Sequence, residues 1–275
     1  MHKMVLMTMI QQAKTLTGLL VCLLVLAACG GGGDGASNAG TTGGLSFRLK
    51  FIDPSDEAHL QISNADEDIC TAYEIDEIKG TLSRINGTEL ASDTWPCEDH
   101  RGILDGVTPT TNLALLIEGF VNGEVVWKGQ KGGIEILPGE IASAGTVQMT
   151  NITDDQTAPQ ILSTAPQNAA EGVPINTAIL VQFDEPVSAV SLHGAFSLTD
   201  ESSNSVSGVV SYEDNDDQQF YQAKFEPNGN LSAQTKYNIT LLSVVTDLAD
   251  NAIAEYEWSF TTGSTALPGM IWGQH

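Results

Sequence analysis

Along most of this chain apolar and polar side chains alternate in steps of two. Leu45, Phe47, Leu49 and Phe51 are interleaved with Ser46, Arg48 and Lys50, which is the pattern of a strand resting one face on a core. Residues 75–82 have the same character, and Asn86 and Gly87 follow where a tight hairpin turn would sit. Residues 113–120 and 124–128 flank Asn122 and Gly123, a second hairpin signal, and residues 133–136 and 145–149 read as further strands after short turns. No longer segment keeps a helical period. The expectation for residues 45–150 is therefore an antiparallel β-sandwich of about seven short strands.

A second run of strands begins after a polar break. Residues 151–158 carry Thr153, Asp154, Asp155, Gln156 and Thr157 and lead into Pro159, a linker between two domains. Beyond it Ile179, Val181 and Phe183 alternate inward on one strand, Tyr237, Ile239 and Leu241 on another, and Trp258 and Phe260 on a last one. Pro186 cannot donate to a ladder, so it ends or bulges its strand. The predicted fold is all-β, with two tandem antiparallel sandwiches over residues 45–150 and 159–263 and a tail over 264–275 that frays or docks as a short strand.

The first residues depart from this pattern. Lys3 and Lys14 precede a largely apolar run over residues 16–26, the length of a secretory core and short of the ~20 residues that span a bilayer. The run ends in Leu26, Ala27, Ala28 and Cys29, which resembles the lipobox of bacterial lipoproteins. The resemblance implies a signal peptide over residues 1–28, lipidation of Cys29 by a palmitate-type acyl chain, and attachment of the mature chain to a membrane outside the cytoplasm. Gly30 following Cys29 resembles cargo sent on to an outer membrane. An ordinary secretory signal cut after the two alanines is the other reading of these residues. Residues 30–44, rich in glycine and without an apolar side chain larger than alanine, read as a flexible tether with a reach of roughly 20 Å.

Charge and cysteine count narrow the function. Loss of the two signal lysines leaves nine basic side chains against 35 acidic ones, about −26, so nucleic acid is not an expected partner. With charged residues at only 17% and apolar residues at 41%, the chain is not a disordered acidic tail. Once Cys22 leaves with the signal and Cys29 carries lipid, Cys70 and Cys97 are the remaining pair, and in an oxidising compartment they are expected to form a disulfide. A metal site or two free thiols are the alternatives.

Two resemblances extend the reading. Residues 102–109 and 112–119, with Trp127, Gly129, Pro138 and Gly139, are similar to the turn and strand signatures of carboxypeptidase-regulatory-like, or transthyretin-like, β-sandwich modules; this implies a fold over residues 45–150 and no activity. Residues 179–187 (Ile-Leu-Val-Gln-Phe-Asp-Glu-Pro-Val), the run Thr246, Asp247, Leu248, Ala249, Asp250 and Asn251, and the closing residues 258–262 resemble the SbsA-type bacterial Ig-like domain. Asp184 stands where that family has Ser. Asp250 stands where it has Gly, so the last turn asks an aspartate to accept left-handed backbone.

Candidate chemistry is sparse. His59, His100, His193 and His275 form no metal-ligand spacing, and neither a Gly-x-Ser-x-Gly elbow nor a phosphate-binding glycine loop occurs. Acidic runs at residues 66–68 and 213–217 offer oxygens of the kind Ca²⁺ takes, yet neither follows the EF-hand spacing, and both read as solvated loops. No catalytic residue, cofactor or metal ligand is assigned. The expected function is that of a membrane-anchored extracytoplasmic lipoprotein acting as a non-catalytic binding or adhesion module of the cell envelope, with a surface polymer or protein as partner. The alternatives are a structural spacer, an accessory subunit of a surface assembly, and a hydrolase working through a pair of carboxylates.

Overall fold

The computed structural model describes residues 41–52 and 69–267. The signal segment, Cys29, most of the tether, His59, the acids of 66–68 and His275 lie outside the described residues. The described chain from Thr41 onward falls within one compact unit, in which strands dominate. The fold class is all-β.

The first seven strands are β1 (Gly43–Ile52), β2 (Glu77–Arg84), β3 (Glu89–Pro96), β4 (Arg101–Val107), β5 (Thr110–Val121), β6 (Glu124–Ile136) and β7 (Ile141–Asn151), with one helical turn, α1 (Ile69–Ala72), before β2. Both Asn-Gly pairs make the expected hairpins. Gly87 at φ 80° joins β2 to β3, and Asn122 and Gly123 at φ 52° and 83° join β5 to β6, the left-handed pair that a two-residue turn needs. Residues 133–136, expected as a separate strand, instead continue β6. Gly133 at φ 68° lets the strand kink without ending.

All seven strands belong to one sheet of order β3-β2-β5-β6-β7-β1-β4. Most neighbours are antiparallel, but β1 runs parallel to β7. The sheet makes two layers by curling. Phe47 on β1 and Trp95 on β3 stand five places apart in the strand order, yet their rings meet edge to face at 5.2 Å. Inside the curl lie Leu45, Ile78, Leu82, Leu113, Leu115, Ile117, Val147 and Met149, all essentially inaccessible. Trp127 is buried at their side, its ring against Phe51 and Tyr73. The two end strands, β3 and β4, each pair on one side only.

The second half has β8 (Ile161–Ala165), β9 (Ala170–Val173), β10 (Ile179–Phe183), β11 (Phe196–Asp200), β12 (Gly208–Asn215), β13 (Phe220–Pro227), β14 (Lys236–Leu241) and β15 (Tyr256–Thr262). They form two four-stranded sheets, β12-β13-β10-β8 and β11-β14-β15-β9. Ile179, Val181 and Phe183 face Ile239, Leu241, Trp258 and Phe260 across one core, as the alternation predicts. Every one of these is at most 4% exposed. At ~25 cal/mol per Å² of buried apolar surface, such side chains supply roughly 1.5–3 kcal/mol each before entropy is counted. The Asp250 turn takes the left-handed backbone its aspartate had to accept, at φ 70°.

Candidate functional site

The two halves meet along β6, β5 and β12, and this junction buries Gln130 and Asp214. Gln130 on β6 is only 6% exposed. Its amide nitrogen donates to the Val187 carbonyl at 2.6 Å, and its amide oxygen accepts from the Ala189 N–H at 2.9 Å. Both ends of one side chain from the first sheet thus satisfy backbone groups of the second half, and an unpaired amide there would cost about 1–3 kcal/mol. Asn112 adds a bond from its amide to the Val210 carbonyl at 2.7 Å. A Cβ on Gly132 would stand 2.6 Å from the Tyr212 carbonyl oxygen, so only glycine permits this approach. Ile85 and Ala114 of the first sheet pack into the core of the second half.

Asp214 is the charged member of the junction. The acidic run 213–217 was expected to be a solvated loop, but Asp214 is 9% exposed at the end of β12 and turned toward the first sheet. Strand alternation places it inward, and it finds partners there. It accepts from the Gly132 N–H at 2.9 Å and lies 3.6 Å from the Lys131 ammonium, which also reaches Asp216 at 3.8 Å. Desolvation outweighs both partners and raises the Asp214 carboxyl to about 6. Asp216 is raised for the same reason, and burial lifts the Tyr221 hydroxyl to about 12.

A second acidic group, which no sequence pattern announced, lies where the linker enters the second half. Asp155 from the linker, Glu185 after β10 and Asp247 from the loop before β15 each offer an oxygen within 4.8 Å of the others. Asp247 is 2% exposed and is held by the N–H groups of Ala249 and Asn251 and by the Asn251 amide. Desolvation raises Glu185 to about 7, with Asp155, Asp247 and Asp184 pushing the same way. Three carboxyls at this spacing share a proton or hold a hard cation through oxygen. They are the described residues best suited to a metal. Their positions, 30 and 62 residues apart in the chain, explain why no motif revealed them.

The cysteine pair is joined. Cys70 in α1 and Cys97 after β3 form a disulfide with Cα atoms 5.7 Å apart, and Nε2 of His100 lies 3.2 Å from the Cys70 sulfur. The bond consumes both thiols, so the Cys70–Cys97–His100 group is a cross-link with an imidazole beside it. His193 closes a short 3₁₀ turn.

At the open ends of the curled sheet, Trp95, Asp99, Arg101, Gly102 and Ile103 line a cleft of about 440 Å³. Gly102 and Gly80 make room for the indole of Trp95, since a Cβ on either would stand within 3 Å of its ring. Among the described residues, no helix is long and apolar enough to cross a membrane.

Residues 155–262 match the family described as bacterial Ig-like domain. A comparison with curated proteins finds no match. Among solved structures, the chain is similar to an LD transpeptidase in complex with imipenem (16% identity over 38% of this chain and 40% of that one, TM-score 0.28) and to the N-terminal part of the bacterial S-layer protein SbsC (19%, 39% and 24%, TM-score 0.30). It is also similar to a fimbrilin from Porphyromonas gingivalis W83 (9% identity over 78% and 74%, TM-score 0.28). The chain thus spans two fifths of the length of the transpeptidase and a quarter of that of the S-layer fragment. Residues 155–262 thus resemble a bacterial Ig-like domain, and they follow a curled seven-stranded sheet.

Proposed function

We propose that this chain is a lipid-anchored extracytoplasmic protein whose β body acts as a non-catalytic binding module of the cell envelope. The observation that carries this reading is the junction. Buried Gln130, Gly132 and Asp214 tie the Ig-like half to the first sheet, making a stiff unit suited to presenting a surface at a distance from an anchor. The lipobox at Leu26–Cys29 and the glycine-rich tether support the anchor.

Replacement of Cys29 by Ser tests the anchor: the variant is expected to lose acyl-chain labelling and move from the membrane to the soluble fraction. Retention with wild-type labelling would remove the lipoprotein reading. Purified mature protein is expected to turn over no glycoside, peptide or ester substrate. Hydrolysis abolished by Glu185→Gln would replace the binding module with a carboxylate enzyme.

A further inference from the structure

We infer that the cleft at the open ends of the curled sheet, together with Arg48 beside it, binds a carboxylate-bearing polysaccharide. The inference rests on the binding-module reading and names its site and ligand class.

Its starting point is a pairing that the fold would otherwise avoid. Arg48 on β1 and Arg101 on β4 are direct cross-strand partners, and both side chains are exposed. Like charges directly opposite each other on a sheet destabilise the pairing. This chain has only nine basic residues beyond its signal segment, and two of them stand face to face. Among the described residues, no carboxylate comes within ion-pair distance of either guanidinium. Lys50, two residues further along β1, lines a separate small cleft with Lys131, Asp216 and Asp217. Arg48 and Arg101 thus set two unpaired positive charges side by side on adjacent strands, in a protein that is otherwise strongly acidic.

The cleft supplies the rest of a recognition site. Arg101 forms part of its wall, beside the half-buried indole of Trp95, the exposed side chain of Ile103 (47% exposed) and the carboxylate of Asp99. The part of the Trp95 indole that lines the cleft offers an apolar surface against which the C–H face of a sugar ring can rest. Two guanidiniums offer planar forks that match a carboxylate bidentately, and Asp99 accepts from hydroxyls. At about 440 Å³ the cleft has room for a sugar unit or two. An acidic peptide would use the arginines but has no ring to set on Trp95, so the polysaccharide is favoured. The net negative charge of the body repels polyanions at a distance. At physiological ionic strength that repulsion fades beyond ~8 Å, which leaves the direct contacts to decide.

The test uses the mature chain with Cys29→Ser for solubility, titrated calorimetrically at physiological salt with oligogalacturonate, with neutral dextran and with polyglutamate. Saturable binding of oligogalacturonate is expected, with no binding of dextran and at least tenfold weaker binding of polyglutamate. Arg48→Gln with Arg101→Gln is expected to weaken oligogalacturonate at least tenfold. Both side chains are exposed and relief of their repulsion does not destabilise, so a cooperative melting curve no lower than that of wild type checks that the variant is folded. Absence of oligogalacturonate binding, an unchanged affinity in the folded double variant, or equal affinity for polyglutamate would each overturn the inference. If the double variant still binds isolated cell-envelope material as wild type does, this site is refuted while the binding-module reading stands; if wild type binds neither, both fall.

Discussion

The two halves of this protein solve the same problem, closing an apolar core between strands, by different means. The Ig-like half lays two four-stranded sheets face to face and fills the space with large side chains, including the stacked pairs Phe196–Phe225 and Tyr237–Phe260. It contains no cysteine. The first half has a single sheet that must curl onto itself, and its end strands never pair with each other. There the Phe47–Trp95 contact bridges the curl, and the Cys70–Cys97 bond ties α1 to the turn between the end strands β3 and β4. A core sealed by face-to-face packing needs no covalent help. A core sealed by bending one sheet leaves two free edges, and a cross-link there limits how far the unfolded chain can spread.

The sharpest way to break this contrast is to remove the cross-link. Cys70→Ser with Cys97→Ser is expected to cost about 3–4 kcal/mol, from the loop-closure estimate for this separation. Hydrogen exchange should quicken in β1–β7 far more than in β8–β15; equal loss in both halves would mean that the disulfide stabilises the body as a whole. The next largest effect is expected at the junction. Gln130→Ala leaves the Val187 carbonyl and the Ala189 N–H unpaired, a loss of about 2 kcal/mol. A single unfolding transition in the wild type should then separate into two, and a single transition in the variant would show that other contacts suffice.

Acidity probes the junction through Asp214 and the linker's carboxyl group through Glu185. Glu185 and Asp214 have folded-state values of about 7 and about 6, above the ordinary 4.5 and 3.8. The native protein therefore keeps protons that the unfolded chain has released, so stability rises as pH falls from about 7 toward 5 and declines as pH rises. Asp214→Asn is expected to flatten this slope and to raise stability at pH 8 by about 1–3 kcal/mol. Glu185→Gln should do so by less, because water screens its half-exposed carboxyl. Melting temperatures across pH 5–8 that rise with pH would contradict the assignment. The smallest effect belongs to Lys128 and Asp250, which lie 3.7 Å apart with Asp250 82% exposed. Asp250→Asn should change stability by under about 0.5 kcal/mol, and a larger loss would make this pair part of the junction.

What the sequence by itself determined is what depends on neighbours along the chain. Alternation told which side chains face a core, so Phe47, Phe183 and Phe260 could be placed in it. The two Asn-Gly pairs set their hairpins, and counting cysteines named the Cys70–Cys97 bond. A period of two says which face of a strand is buried and nothing about which strand lies beside it. For that reason the parallel pairing of β1 with β7, the continuity of the seven-stranded sheet and the kinked passage of β6 through Gly133 were decided only in three dimensions. The polar chemistry follows the same division. Asp214 reads in sequence as part of a solvated acidic loop and Gln130 falls between two expected strands; both are buried because the other half of the chain covers them. Asp155, Glu185 and Asp247, like Arg48 and Arg101, meet only because strand order brings distant segments together. Charge interactions act through space, whereas sequence patterns report only distance along the chain.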